Sequence, residues 1–187
     1  LHPRVRRQRQ MCIRDRLTMY SGMRIGEICA LKWSDIDLQS GIIRISKTVQ
    51  RINDKIGNSK TKIIVGSPKS RTSEREIPIP NFLVNILNER RQNENNYILS
   101  GTHKLIEPRT MQNRFKSVLK KCGIRNVNFH LLRHTYATVC IENGFDAKTV
   151  SELLGHSNVN ITIPVPNSNT IPVAVHTDIY ERFILVG

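Results

Sequence analysis

Five cationic or imidazole side chains fall where the chain is predicted to start, stop or turn an element, positions from which a cation can face an anion. Arg24 stands at the opening of a short predicted helix, so its guanidinium and the nearby backbone N–H groups can face one anion together. Lys69 falls in the turn region between two predicted strands, where a long cation reaches beyond the sheet. In FHLLRHT, His130 and Arg133 are three apart on a helix and share a face. His156 follows a helix-ending glycine and projects from that end. Singly, each is an ordinary surface feature, since a histidine after a glycine stop commonly only caps carbonyls. Individually these signals are weak, and their weight comes from the motifs that carry them.

Those residues need elements to hold them. From Leu17 the pattern is orderly, and Ile25, Ile28 and Cys29 at helical spacing predict a short helix after Ser21 and Gly22. The period then changes to two. Ile43 and Ile45, Ile63 to Val65, and Ile77 and Ile79 predict three short strands that form one small antiparallel sheet. Asn81 is placed to cap a helix with Leu83, Ile86 and Leu87 inside. Pro108 fits a first-turn position, with Met111, Phe115, Val118, Leu119 and Cys122 following on one face and Gly123 closing the helix. A helix from about His130 to Asn143 presents Leu132, Tyr136, Val139 and Cys140, and Gly144 ends it. Asp146 then caps a helix with Val150, Leu153 and Leu154 inside, stopped by Gly155. The expected fold class is α+β, mainly helical, with a three-stranded antiparallel sheet.

Composition narrows the partner. Lys and Arg number 29 against 15 acids in 187 residues, a net charge of +14, and such a field draws a polyanion because neutralised phosphates release counterions. Apolar residues make up 39%, enough for one ordinary core and well above the disordered range. No apolar run approaches the roughly 18 residues a bilayer span needs, so a soluble, cytoplasmic protein without a membrane partner is expected. Cys12, Cys29, Cys122 and Cys140 are scattered without a C-x-x-C pair and read as reduced thiols, not as a disulfide frame or metal site.

The segments SGMRIGEICALKWSDID, SPKSRTSEREIPIP, HLLRHTYAT and ELLGHSNVNIT occur in an order and spacing that resemble the catalytic domain of the tyrosine recombinase (phage integrase) family, over about residues 17–162. The resemblance implies that family's mainly helical fold, double-stranded DNA as partner, and site-specific recombination or integration through a 3′-phosphotyrosine. It implies a tetramer on two DNA sites for the full-length protein. By position, Arg24 and Arg133 resemble the arginines that clamp the scissile phosphate, and Lys69 the hairpin general acid for the leaving 5′ oxygen. His130 resembles the histidine that assists proton transfer and His156 the one that supports the phosphate. Glu27 matches the acidic position expected to orient Arg24 without reacting. Such chemistry requires no cofactor, ATP or metal, because the tyrosyl ester preserves the phosphodiester's energy.

The ends depart from the family pattern. Residues 1–16 are an atypical basic leader, and 163–187 an atypical tail in which IPVPNSNTIPVAV holds three prolines that forbid a continuous helix. The family's nucleophilic tyrosine usually follows the LGH histidine by about ten residues, and here Tyr180 follows His156 by 24, in TDIYERF. Either the proline-rich segment is a loop that brings Tyr180 to the phosphate, or the tail is foreign and Tyr180 fortuitous. Tyr136, on an apolar helix face, is expected in the core. Strand transfer with Tyr180 as nucleophile is the leading reading. A DNA-binding remnant that keeps the clamp, or a type IB topoisomerase, are its rivals, and the compact LLRHT and LLGHSNVN motifs favour the recombinase.

Overall fold

In the computed structural model, residues 16–54, 60–67, 73–121, 123 and 125–156 are described. The first of them, 16–19, are helical and bury Leu17 and Met19. Helix α1 (Ile25–Ala30) follows, and its N-terminus is satisfied from within the motif: the Glu27 carboxylate accepts the Arg24 backbone N–H at 2.8 Å. A 3-10 turn at Trp33–Asp35 leads into β1 (Ile36–Asp37), β2 (Ile42–Ile45), β3 (Thr48–Asn53), β4 (Thr61–Gly66) and β5 (Arg75–Pro78). Four helices complete the described chain: α2 (Asn81–Asn88), α3 (Pro108–Lys121), α4 (His130–Glu142) and α5 (Ala147–Leu154).

The expected α+β architecture is present, but the sheet is assembled differently from the sequence reading. The three-stranded antiparallel sheet runs β1-β2-β5, with Ile36 opposite Ile43 and Ile43 opposite Ile77. The strand around Ile63–Val65 does not join it. It pairs instead with β3 in a separate antiparallel ribbon, Thr48 opposite Gly66 through Asn53 opposite Thr61. Periodicity explains both outcomes. Ile43, Ile45 and Ile77 are buried while Arg44 and Glu76 between them are exposed, the signature of a half-buried sheet. Ile63, Ile64 and Val65 are consecutive and all exposed, so they define no buried face and pair locally with their neighbour in sequence. Strand β3 carries no apolar alternation in its sequence, since Val49 is its one buried residue.

The helices follow their apolar stripes. Leu83 and Leu87 of α2 and Met111, Phe115 and Leu119 of α3 are buried at i, i+4 spacing, and Ile86 packs half-buried against the same core. The cap of α2 is Pro80 rather than Asn81, which is the first helical residue. Gly123 and Gly144 take positive φ beyond α3 and α4, as their closing positions demand. The Asp146 side chain caps α5 by accepting the Thr149 N–H at 2.9 Å, and Gly155 ends it at φ 66°. One core joins α1, the buried face of the β1-β2-β5 sheet, α2, α3 and the start of α4. A second, small cluster of Ala137, Val150 and Leu154 fastens α5 to α4, with Tyr136 and Cys140 half-buried at its side. Cys29 is buried and forms no disulfide. Cys12 and Cys122 lie outside the described residues.

Two contacts set how closely α1 approaches its neighbours. A Cβ on Gly26 would stand 2.5 Å from Thr48 Oγ1 and 2.7 Å from the Val49 carbonyl, so glycine lets α1 rest directly on β3. Gly22, at φ 61°, leaves room for the Tyr136 ring and Leu154, which would lie 2.6 and 2.7 Å from a Cβ there. The segment before α1 is thereby brought against α4 and the end of α5.

Candidate active site

Helix α5 ends with its last carbonyls pointing away from any helical partner, and three arginines from three different elements take them in succession. Arg75 Nε donates to the Leu153 carbonyl at 2.6 Å, Arg133 Nη2 to Leu154 at 2.5 Å and Arg24 Nη2 to Gly155 at 2.9 Å. The left-handed turn at Gly155 exposes this row, while the N–H groups of Gly155 and His156 return to Glu152 and Ser151. Orphan carbonyls at the negative end of a helix are natural acceptors for cations.

One carboxylate holds two of the three guanidiniums. Glu27, almost fully buried on α1, receives Arg24 Nη1 at 2.8 Å and both Arg75 Nη atoms, at 3.0 and 2.9 Å. Burial alone would raise its carboxyl; the hydrogen bond and charge of Arg75, joined by Arg24, hold it below the ordinary carboxylate value. Glu27 therefore stays ionised and orients Arg24 from both its side chain and its backbone N–H. Arg133 is 2% exposed and also donates to the Gly22 carbonyl at 2.8 Å, while its buried Nε has no hydrogen-bond partner among the described residues. Burial, then the charges of Arg24 and Arg75, pull the Arg133 guanidinium down to about 9, so it remains charged at neutral pH. Three guanidiniums against one carboxylate leave a surplus of positive charge. Arg24, with 36% of its side chain exposed, carries that surplus to solvent.

The imidazoles stand on the same end. His156, half-buried directly after the carbonyl row, is pushed down to about 4 by burial and then by Arg133, Arg24, His130 and His134, so it is neutral at physiological pH. His130 opens α4, exposed, with its ring edge-on to His134 at 4.7 Å. Burial, His134, Arg133 and Arg24 lower it as well. His130 and Arg133 lie three apart on α4, Arg133 buried and His130 exposed, close enough for the Arg133 charge to lower His130.

Of the residues singled out in sequence, Arg24, Glu27, Arg133 and His156 converge on the end of α5, with His130 at the margin. Lys69 and Tyr180 lie outside the described residues. Tyr136 packs half-buried against Gly22 in the small cluster, as expected of a core residue. Arg75 and His134 were passed over. Arg75 had a legible signal, since it precedes Ile77 and Ile79 by two and four residues and so belongs to the inward side of its strand. An inward arginine needs an anionic or carbonyl partner. No group of three or more His, Cys, Asp or Glu among the described residues is placed to hold a metal ion.

This architecture is that of tyrosine-recombinase catalytic domains. A structure of the Tn1549 transposon integrase in complex with transposon right end DNA superposes with a TM-score of 0.66 at 19% identity, covering 100% of this chain and 66% of that one. The crystal structure of XerA recombinase gives 0.63 at 25% identity, over 93% and 56% of the two chains. The chain belongs to the phage integrase family, whose sequence model matches residues 8–164. A tyrosine recombinase XerC-like protein of Caldanaerobacter subterraneus subsp. tengcongensis is 33% identical, covering 88% of this chain and 48% of the relative. The chain thus spans about half the length of the curated relatives it matches. Among the described residues, no helix is long and apolar enough to cross a membrane.

Proposed function

We propose that residues 17–162 form the catalytic domain of a site-specific tyrosine recombinase, which cuts and rejoins double-stranded DNA through a 3′-phosphotyrosine. The observation that carries this reading is the surplus of guanidinium charge around buried Glu27, opened to solvent by Arg24 and flanked by the neutral imidazole of His156. As a phosphodiester becomes pentacovalent, charge grows on its non-bridging oxygens. Guanidiniums held rigidly beside it stabilise that charge more than they stabilise the ground state, which lowers the barrier. Arg24 presents the outer donors and Arg133 supplies a fixed charge behind it. Neutral His156 donates a hydrogen bond to a phosphate oxygen, and His130 assists proton transfer. Lys69 gives the leaving 5′ oxygen its proton, and Tyr180 attacks the phosphorus. The leaving 5′-hydroxyl, or one from a partner duplex, later displaces the tyrosine, so the bond energy is kept and no cofactor enters. The names and partners of the relatives support DNA as substrate, and by the same reasoning the full-length protein assembles as a tetramer on two sites.

Covalent trapping tests the reading. Incubated with nicked suicide duplexes at low salt, the chain is expected to form an SDS-resistant adduct that Arg133→Ala and Tyr180→Phe both abolish. An adduct that survives Tyr180→Phe removes Tyr180 as nucleophile. DNA binding with no adduct in the wild type reduces the chain to a phosphate clamp.

A further inference from the structure

Arg75 is used by none of the steps above, yet it is the most heavily bonded of the three guanidiniums. Its guanidinium is the one of the three that grips both Glu27 oxygens, at 3.0 and 2.9 Å, and it also donates to the carbonyls of Leu153 at 2.6 Å and Ser73 at 3.1 Å. With 5% of its side chain exposed, it is closed off from a phosphate arriving on the solvent side. Resting on the strand-cleavage reading, we propose that Arg75 is a positioning residue: it ties the Glu27 carboxylate to the end of α5, and so fixes both Arg24 and His156 toward the phosphate.

The geometry gives each half of that tie its consequence. Glu27 can hold Arg24 in place only if its own carboxylate is fixed, and the bidentate fork from Arg75 fixes both oxygens at once. Leu153 is the first carbonyl of the row whose next two members receive Arg133 and Arg24, and His156 follows immediately. Releasing Leu153 loosens the turn that carries all of them. Lysine cannot replace this function, because a single ammonium on a flexible stem reaches the carboxylate or the carbonyl but has no planar fork for both. A misplacement of about 1 Å in such a constellation costs on the order of a hundredfold in rate.

The test is Arg75→Lys on the whole chain, assayed where circular dichroism shows it folded. Single-turnover adduct formation is expected to slow by about tenfold to a hundredfold, while the Kd for intact duplex changes by less than about twofold, as expected for a group that does not touch the phosphates. In parallel, the His156 ring signals in NMR spectra of the free protein are expected to move, with those of His103, remote from the cluster in sequence, unchanged. Should Arg75→Lys fail to fold, Arg75→Gln, which keeps one donor at a smaller desolvation cost, carries the same measurements. A wild-type cleavage rate in a folded variant overturns the proposal. So does a loss of DNA affinity that matches the loss of rate, since Arg75 then acts in binding. If the wild type itself forms no adduct, the strand-cleavage reading fails separately. The His156 signals then decide the tie alone: movement upholds it and constancy overturns it.

Discussion

Two arginine–glutamate pairs in this molecule share their chemistry and differ in their surroundings. Arg75 and Glu27 meet with 5% and 2% of their side chains exposed. Arg51 of β3 reaches Glu107, just before α3, with 51% and 25% exposed. At the ribbon, water and salt compete for both charges, so the pair contributes little and its partners can exchange. In the cluster, neither charge can return to water, and the geometry must satisfy both or the fold suffers. The same residue types thus make a replaceable surface link in one place and a fixed frame in the other. The frame is where the sequence motifs converge.

The sharpest way to break that comparison is Glu27→Gln. The amide keeps the size of the carboxylate and removes its charge, leaving Arg24, Arg75 and Arg133 to repel one another in a buried setting. A loss of about 3–5 kcal/mol is expected from removing one partner of a buried ionic network, read as a shift in the urea midpoint. A loss below about 1 kcal/mol would place Glu27 in the class of exposed pairs and dissolve the contrast.

Next in size is Gly22→Ala. Two penalties add here: a left-handed backbone at φ 61°, and a Cβ driven against the Tyr136 ring and Leu154. Together they are expected to cost on the order of 2–3 kcal/mol. Gly123→Ala is the internal control. It shares the positive φ, at 68°, but a Cβ there meets nothing within 4 Å among the described residues, so about 1–2 kcal/mol of backbone strain alone is expected. Equal thermal shifts for the two would mean that the contact between Gly22 and α4 is soft.

The contrast also explains how much could be read from sequence. Helices whose stripes face one core were legible: α3 from Met111, Phe115 and Leu119, and α5 from its Asp146 cap and Gly155 stop. Arg24, Glu27, Arg133 and His156 were legible because they sit in dense motifs. The place of β4 is not legible, because pairing depends on which faces are buried and the exposed run Ile63–Val65 looks in sequence like a core strand. Arg75 was missed for the opposite reason: a buried charge resembles any solvated one until its strand phase is considered. No local pattern announces that three distant arginines will meet three consecutive carbonyls, since that coincidence belongs to the tertiary fold.

Acid sharpens the comparison by charging the cluster further. His156 is held at about 4 against an ordinary 6.5, first by burial and then by Arg133 and Arg24. Below pH 6.5 the unfolded chain binds a proton on this ring that the folded chain refuses, so stability falls as the pH drops from about 6.5 toward 4 and is level above that window. His130 and His134 are lowered too and act with the same sign. Glu27, held below its ordinary value, adds its loss only at still lower pH. Denaturant midpoints at pH 7 and pH 5 are expected to differ in the wild type and to differ less in His156→Gln. An equal difference in both proteins would assign the acid sensitivity to other groups.

The smallest effect is expected at the exposed pair. Arg51 donates through Nε to Glu107 at 2.8 Å and through Nη1 to Thr61 Oγ1 at 2.7 Å, a well-formed set of bonds by distance alone. Both partners keep access to water, so on removing Arg51 the glutamate rehydrates and the threonine hydroxyl finds a solvent molecule. Arg51→Ala is therefore expected to cost less than about 1 kcal/mol, and less still at high salt. Glu27→Gln should keep most of its cost at that ionic strength, because its partners are shielded from the added ions. Measuring both variants in 0.05 and 1 M salt separates screening from burial. If the two costs fall in parallel, water reaches the arginine cluster, and the frame around Glu27 is held by the carbonyl row more than by the carboxylate.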